Sequence, residues 1–198
     1  QPRMIMGTFA PSYLPDPKPA QRNRRSIYAL KLRGHRDPFM TTFNQPAPDK
    51  SCELRDSSNV TPQVFTLFNS EESADRALAF AARILKEGGN DKAVVQRAFR
   101  LAFGRVPEAG ETRAALSHWR QATAEQAKRK PKPAVYPRQV TRQANEENTG
   151  EPFTFTEKLF EYQDYEPDLQ RHQVDARTRG LADLCLVLLN SSEFVYVY

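Results

Sequence analysis

Polar side chains that could bind a ligand crowd into the irregular, proline-spaced text between residues 24 and 63. Arginine guanidinium groups bind anions through paired hydrogen bonds, and phenol, hydroxyl and amide groups add directed bonds. This mixture predicts either a ligand-binding cluster or clamps on loop carbonyls, and the clamping interpretation is preferred. The candidate binding residues are Arg25, Tyr28, Asn44, Arg55, Thr61 and Gln63.

Residues that would support metal, haem or nucleophilic chemistry are sparse. His35, His118 and His172 are isolated, and no CxxC, CxxCH or HExxH motif occurs. GxSxG and phosphate-loop motifs are also missing, and the acids at 161–168 lack the spacing of an EF-hand. We therefore assign no catalytic residue, metal ligand or cofactor to this chain.

Composition indicates a modest core with much extended chain. The 198 residues are 39% hydrophobic and include 15 prolines, and the net charge is +5. No apolar run reaches the roughly 18–20 residues of a membrane span. Cys52 and Cys185 are far apart, so a disulfide and two free thiols are both open. Because residue 1 is Gln followed by Pro2, we expect a longer chain upstream.

Charge is strongly segregated in the second half of the chain. Residues 120–142 hold seven basic side chains and one acid, whereas residues 146–168 hold eight acids and one base. Most aromatic residues of this region lie in the acidic block, which disfavours a nucleic-acid platform. We expect the basic block to be a solvated linker or to pair with the acidic block, whose rings should pack on a neighbour.

Helical periodicity begins near residue 61. Capping residues, glycine stops and apolar stripes predict four helices joined by short connections. The third is expected to bury Val94, Val95, Ala98, Leu101 and Ala102. The predicted helices start at Pro62 after an N-cap at Thr61, after Ser70, after Asn90 or Asp91, and at Pro107; they end before Ser70, at Gly88, at Gly104 and near Lys128.

The last 24 residues predict a buried helix with an apolar end. Asp175 is a suitable N-cap, and the helix should run to about Leu189. Its buried stripe, at i, i+3, i+4 and i+7 spacing, consists of Leu181, Leu184, Cys185 and Leu188. The end that follows should dock on this chain or on another through Phe194, Tyr196 and Tyr198.

These elements predict a mainly α fold, an antiparallel bundle of four to five helices with long proline-rich arms. Residues 1–36 form an extended arm in this interpretation, and 24–32 fit a short strand or a helical turn. Residues 37–128 combine an irregular segment, 37–62, with the main helices. Residues 129–174 form a charged, aromatic excursion, and 175–198 the buried helix and docked end.

Four ordered motifs resemble those of one protein family. They lie at residues 24–28 with 37–44, at 51–69, at 98–107 and at 181–194. The chain resembles the C-terminal domain of unknown function found in large secreted proteins of planctomycetes. Those proteins also carry a cytochrome-c-like domain and a second uncharacterised domain. Asn44 stands where the family usually has aspartate, and Asp56 where a second arginine is common.

The resemblance implies export to the periplasm or cell surface, a natural end at Tyr198 and a missing N-terminal part. Haem c would then belong to that part or to a partner. It implies no known reaction, so we expect a non-catalytic interaction module that completes a larger exported protein or complex. The alternatives are a ligand-binding or catalytic part of a polysaccharide-processing or cytochrome-linked redox protein, and weak binding of polyanions or nucleic acid through residues 120–142.

Overall fold

The computed structural model of the chain describes residues 5–6, 11–13, 16–29, 31, 36–47, 51–54 and 60–196. These residues are mainly helical, which confirms the predicted class. They divide into two compact units. The first unit takes the described parts of 1–38, 46–52 and 134–168, and the second takes those of 39–45, 53–133 and 169–198.

The described part of the chain contains eight α-helices and two antiparallel pairs of strands. The helices are α1 (Pro19–Arg22), α2 (Pro38–Thr42), α3 (Thr61–Asn69), α4 (Glu71–Lys86), α5 (Asp91–Phe103), α6 (Ala109–Ala127), α7 (Ala176–Leu189) and α8 (Ser192–Val195). The strand pairs are β1 (Ile5–Met6) with β2 (Pro11–Tyr13) and β3 (Gln139–Asn145) with β4 (Pro152–Lys158).

Local capping chemistry fixes the starts of three of the main helices. The side chains of Ser70, Asn90 and Asp175 each accept a hydrogen bond from the backbone N–H three residues later, at 2.7–3.1 Å. These bonds satisfy amide donors that the first helical turn leaves free. Gly88 and Gly104 follow α4 and α5 with φ of 71° and 73°. The predicted caps and glycine stops are therefore confirmed.

Three helical expectations were wrong in detail. Thr61 is the first helical residue of α3 rather than its N-cap. Leu101 is 43% exposed, and Phe99, only 5% exposed, takes the buried place on α5, because its ring packs on Phe103 with centroids 5.3 Å apart. Residues 37–62 are not wholly irregular, since α2 begins at Pro38, where a fixed φ and a missing N–H suit the first helical turn.

A β-hairpin lies in the charged region, where no strand was predicted. Gln139 lies opposite Lys158, and the pairing continues to Asn145 opposite Pro152. Strand β3 comes from the basic block and β4 largely from the acidic one, and Arg142 forms an ion pair with Glu157 across them. The expected pairing of the two charge blocks is thus realised in this hairpin.

Arg22 organises the first unit. Its guanidinium donates to the main-chain oxygens of Asp16 at 3.0 Å and Glu166 at 2.6 Å, and to the carboxylate of Asp168 at 3.3 Å. It also stacks over the Tyr165 ring at 4.2 Å. That ring belongs to a cluster with Tyr136 and Tyr162, whose centroids are 4.9–6.0 Å apart. One arginine therefore joins the N-terminal segment to the aromatic residues of the acidic block.

Helix α7 is the centre of the second unit and packs mainly on α4 and α6. Its predicted stripe is buried, with Leu181 and Cys185 at 0% exposure, Leu184 at 4% and Leu188 at 6%. The apolar core that these residues share with the other helices includes Leu78, Ile84, Val94, Val95 and Trp119.

Polar bonds fix the ends of α7 and α6 around this core. The buried guanidinium of Arg179 donates to the main-chain oxygen of Gln126 at 3.1 Å and to that of Val174. The Gln126 amide in turn donates to Asp183 at 2.6 Å. Arg179 thereby satisfies a carbonyl in the last turn of α6, which no backbone donor of that helix can reach.

Gly180 permits the close approach of α7 to α6. A Cβ at this position would lie 2.6 Å from the Thr123 amide nitrogen and 2.8 Å from its Cα. Backbone atoms cannot move aside as a flexible side chain can, so the helices would have to separate.

We predict that Gly180→Ala destabilises the protein by about 1–3 kcal/mol, the usual cost of overpacking a core. Chemical denaturation of the full chain measures this loss. Gly110→Ala is the matched control, because Gly110 is also helical and an added Cβ there would meet no neighbouring group within 4 Å. The control should be neutral or slightly stabilising. Equal losses in the two variants would contradict the close-approach argument.

Candidate functional site

An uncharged apolar surface on α3 is the feature of the second unit that most needs a functional explanation. The nine residues of α3 include no charged side chain. Val64, Phe65 and Phe68 are 51%, 61% and 41% exposed. A helix that is apolar around most of its circumference is normally buried. Contiguous exposed apolar surface on a folded domain commonly marks an interaction site.

A cleft runs between α3 and the segment that follows α7. Its volume is about 140 Å³, and its wall carries no charged side chain. Residues of α3 form one side, and Tyr196 and residues of α8 belong to the other. The residues that line it are Gln63, Val64, Leu67, Phe68, Asn190, Ser192, Val195 and Tyr196.

Asn190 brings an unsatisfied polar atom to this site. Its side-chain nitrogen donates to the Leu186 carbonyl at 2.7 Å and so closes the last turn of α7. Its side-chain oxygen is buried and accepts no hydrogen bond from the described residues. Leaving such an acceptor unpaired costs about 1–3 kcal/mol. The cost is expected only where something else compensates for it.

Arg105 holds α8 in place beside the cleft. Its guanidinium donates two bonds to Glu193 of α8, at 2.6 and 2.7 Å. It donates two more to Glu111 of α6, at 2.8 and 2.7 Å. Such paired contacts fix the orientation of both carboxylates as well as their distance. The turn between α5 and α6 is thereby tied to the helix that follows α7.

The electrostatics of this clamp favour the charged form of all three groups. The hydrogen bonds from Arg105, helped by the Glu108 amide, lower the pKa of Glu111 from 4.5 to about 2. The bonds from Arg105 also lower the pKa of Glu193. The two carboxylates raise the pKa of Arg105 in return. The clamp therefore stays fully ionised at neutral pH.

Three of the candidate binding residues lie in the second unit. The Gln63 amide donates to the Thr42 carbonyl at 3.1 Å, and its oxygen accepts from the Val60 N–H at 3.4 Å. Asn44 ends the α2 turn with a left-handed φ of 55°, and Thr61 is exposed at the start of α3. Gln63 therefore clamps main-chain groups while it also lines the cleft.

The remaining candidates are placed as follows. Arg25 and Tyr28 belong to the first unit, where both are exposed at a 3-10 turn over Ser26–Tyr28. Arg55 and Tyr198 lie outside the described residues. Phe194 and Tyr196, expected to dock, are 45% and 46% exposed. The assignment of the polar set to ligand binding stays a prediction.

Sequence reasoning missed the two residues that shape the site. Arg105 and Glu193 are 88 positions apart, so no spacing rule relates them. The signal available was that both lie in segments chosen as family-like motifs, 98–107 and 181–194. Asn190 was recognised only as a helix end. Its buried oxygen became visible only with the neighbouring atoms in place.

No cluster of three or more His, Cys, Asp or Glu side chains that could hold a metal ion occurs among the described residues. Cys52 is exposed and Cys185 buried, and both are free thiols. Burial raises the pKa of the Cys185 thiol to about 12, which keeps it protonated and unreactive. Among the described helices, none is long and apolar enough to cross a membrane.

A family model described as "PSD1: Protein of unknown function (DUF1553)" matches residues 3–119, more than half of the chain. The chain belongs to this family. No curated protein and no solved structure matches it. The PSD1 match covers α3 and Arg105 but stops before α7 and α8. The cleft and the clamp therefore combine the matched part of the chain with the part that follows it.

The clamp predicts a defined pH dependence. Because its folded-state pKa is lowered, Glu111 stabilises the fold fully above 4.5 and loses that contribution as the pH falls towards about 2. We expect Glu111→Gln to lower the melting temperature at neutral pH, and the gap to the wild type to close over this range. Glu147→Gln, at an exposed position in the hairpin turn, should show no such gap. A gap independent of pH would contradict the prediction.

The backbone at Asn44 predicts a second pattern. A left-handed φ is costly for β-branched side chains and free for glycine. Asn44→Val should destabilise the protein by about 1–2 kcal/mol, whereas Asn44→Gly should cost clearly less. Urea unfolding of the two variants makes the comparison. Equal losses would show that the Asn44 side chain, and not its backbone, carries the role.

Proposed function

We propose that this PSD1-family chain is a non-catalytic interaction module that completes a larger protein or complex. The exposed, uncharged face of α3 beside the cleft carries the proposal. A solvent-facing helix ordinarily places charged residues outward, and α3 has none. Phe65, 61% exposed, would lose most of its contact with water only against another surface.

The construction of the site fits binding better than chemistry. The clamp residues Arg105, Glu111 and Glu193 bond to one another, and Gln63 bonds to main-chain groups. These contacts hold an apolar wall in position. The four- to five-helix bundle expected from sequence is part of this proposal, since α4, α5, α6 and α7 contribute to one apolar core.

We further propose that the larger protein is exported and that the partner is its upstream portion or another subunit. The family-like motifs noted in the sequence support this step. Haem c, if present in the system, would belong to that partner. Polysaccharide binding through Arg25 and Tyr28 is the lesser candidate, supported by the exposure of both side chains on one turn.

Site-specific photo-crosslinking in the native host tests the proposal. We expect p-benzoylphenylalanine in place of Phe65 to give a discrete polypeptide adduct, because this ring is exposed at the centre of the apolar surface. Mass spectrometry identifies the adduct, or the internal cross-link if the partner segment is upstream in the same protein.

Ala114 provides the matched control, since it is exposed on the helix α6 and is not among the residues that line the cleft. The same photoreactive residue there should give no discrete product. Identical products at both positions, or none at Phe65, would contradict an interaction surface on α3.

A further inference from the structure

The dimensions of the cleft limit what can occupy it. Small-molecule pockets usually enclose about 300–1,000 Å³, whereas this cleft encloses about 140 Å³. A cavity of roughly 150 Å³ holds a single benzene-sized ring. The occupant is thus one aromatic ring or its equivalent, which is the size of an anchoring side chain and not of a typical metabolite.

The chemistry of the wall defines the occupant further. Val64, Leu67, Phe68 and Val195 offer apolar contacts, and no charged group is present to neutralise an ionic ligand. A charged side chain would lose its hydration there without gaining a partner. The complementary occupant is therefore neutral, with an apolar body.

The buried oxygen of Asn190 adds a requirement for a donor. Asn190 lines the cleft, and its side-chain oxygen has no donor among the described residues. Ser192, another lining residue, can donate or accept. Of the neutral side chains, tyrosine combines one ring of suitable size with a terminal O–H donor.

We propose that the cleft receives a tyrosine side chain from the partner polypeptide, with the phenol O–H donating to Asn190. The inference rests on the proposed interaction function and names the residue that anchors the partner. Arg105 is a positioning residue for this anchor, because its bonds to Glu193 hold the α8 side of the cleft.

Titration of the full chain with two small probes tests the anchor. The probe p-cresol reproduces the tyrosine side chain, and toluene has the same ring and methyl group without the donor. NMR of the Val64, Leu67 and Val195 methyl groups should show saturable shifts with p-cresol. Its affinity should exceed that of toluene about two- to tenfold, the range for one neutral hydrogen bond.

Variants separate the cleft from other apolar surface. Val64→Trp should fill the cleft and abolish the p-cresol shifts. Val187→Trp is its matched control, since Val187 is 45% exposed on α7 and does not line the cleft. Asn190→Leu should remove the preference for p-cresol, and Glu193→Gln should weaken binding of both probes while leaving that preference intact.

Three results would overturn the inference: no saturable shift at these methyl groups, equal binding of toluene, or unchanged binding in Val64→Trp. Discrete cross-linking at Phe65 without p-cresol binding would remove the tyrosine anchor and leave the interaction surface standing. Loss of cross-linking as well would remove the proposed function itself.

Discussion

Burial of α7 between α4 and α6 is the contact on which the second unit depends. Gly180 lets the α7 backbone approach Thr123, and the approach brings Leu181, Leu184 and Leu188 into the shared core. The position of everything that follows α7 is set by this packing. Asn190 can close the helix beside α3, and α8 can reach Arg105, because the end of α7 is fixed.

Arginine side chains make the long-range polar ties in both units. Arg22 in the first unit and Arg179 in the second bind main-chain carbonyls from segments more than 50 residues away. A guanidinium suits this task because it offers five donors in a fixed plane and stays charged when partly buried. The loop-clamping chemistry expected for this chain is therefore present at arginines other than the candidate ones. Neither residue was in the candidate set, because their acceptors are main-chain groups that residue types do not reveal.

The cleft gives the PSD1-family chain a surface whose shape and polarity are both specified. Its wall is neutral, while the clamp that holds α8 is doubly ion-paired and stays charged at neutral pH. Placing the charges behind the wall keeps the binding face apolar and still fixes its geometry. An interaction module needs this combination, because a rigid apolar face loses little conformational entropy when a partner binds.

The amino-acid sequence by itself determined the main helices, their caps and glycine stops, and the buried stripe of α7. These features depend on residues within about one or two helical turns, so spacing and residue type were sufficient. Tertiary structure alone decided that Phe99 and not Leu101 is buried, that the charge blocks pair as a hairpin, and that Arg105 meets Glu193. It also decided which apolar residues stay exposed on α3. Those outcomes depend on contacts between distant segments, and local periodicity carries no information about which partner a side chain will meet.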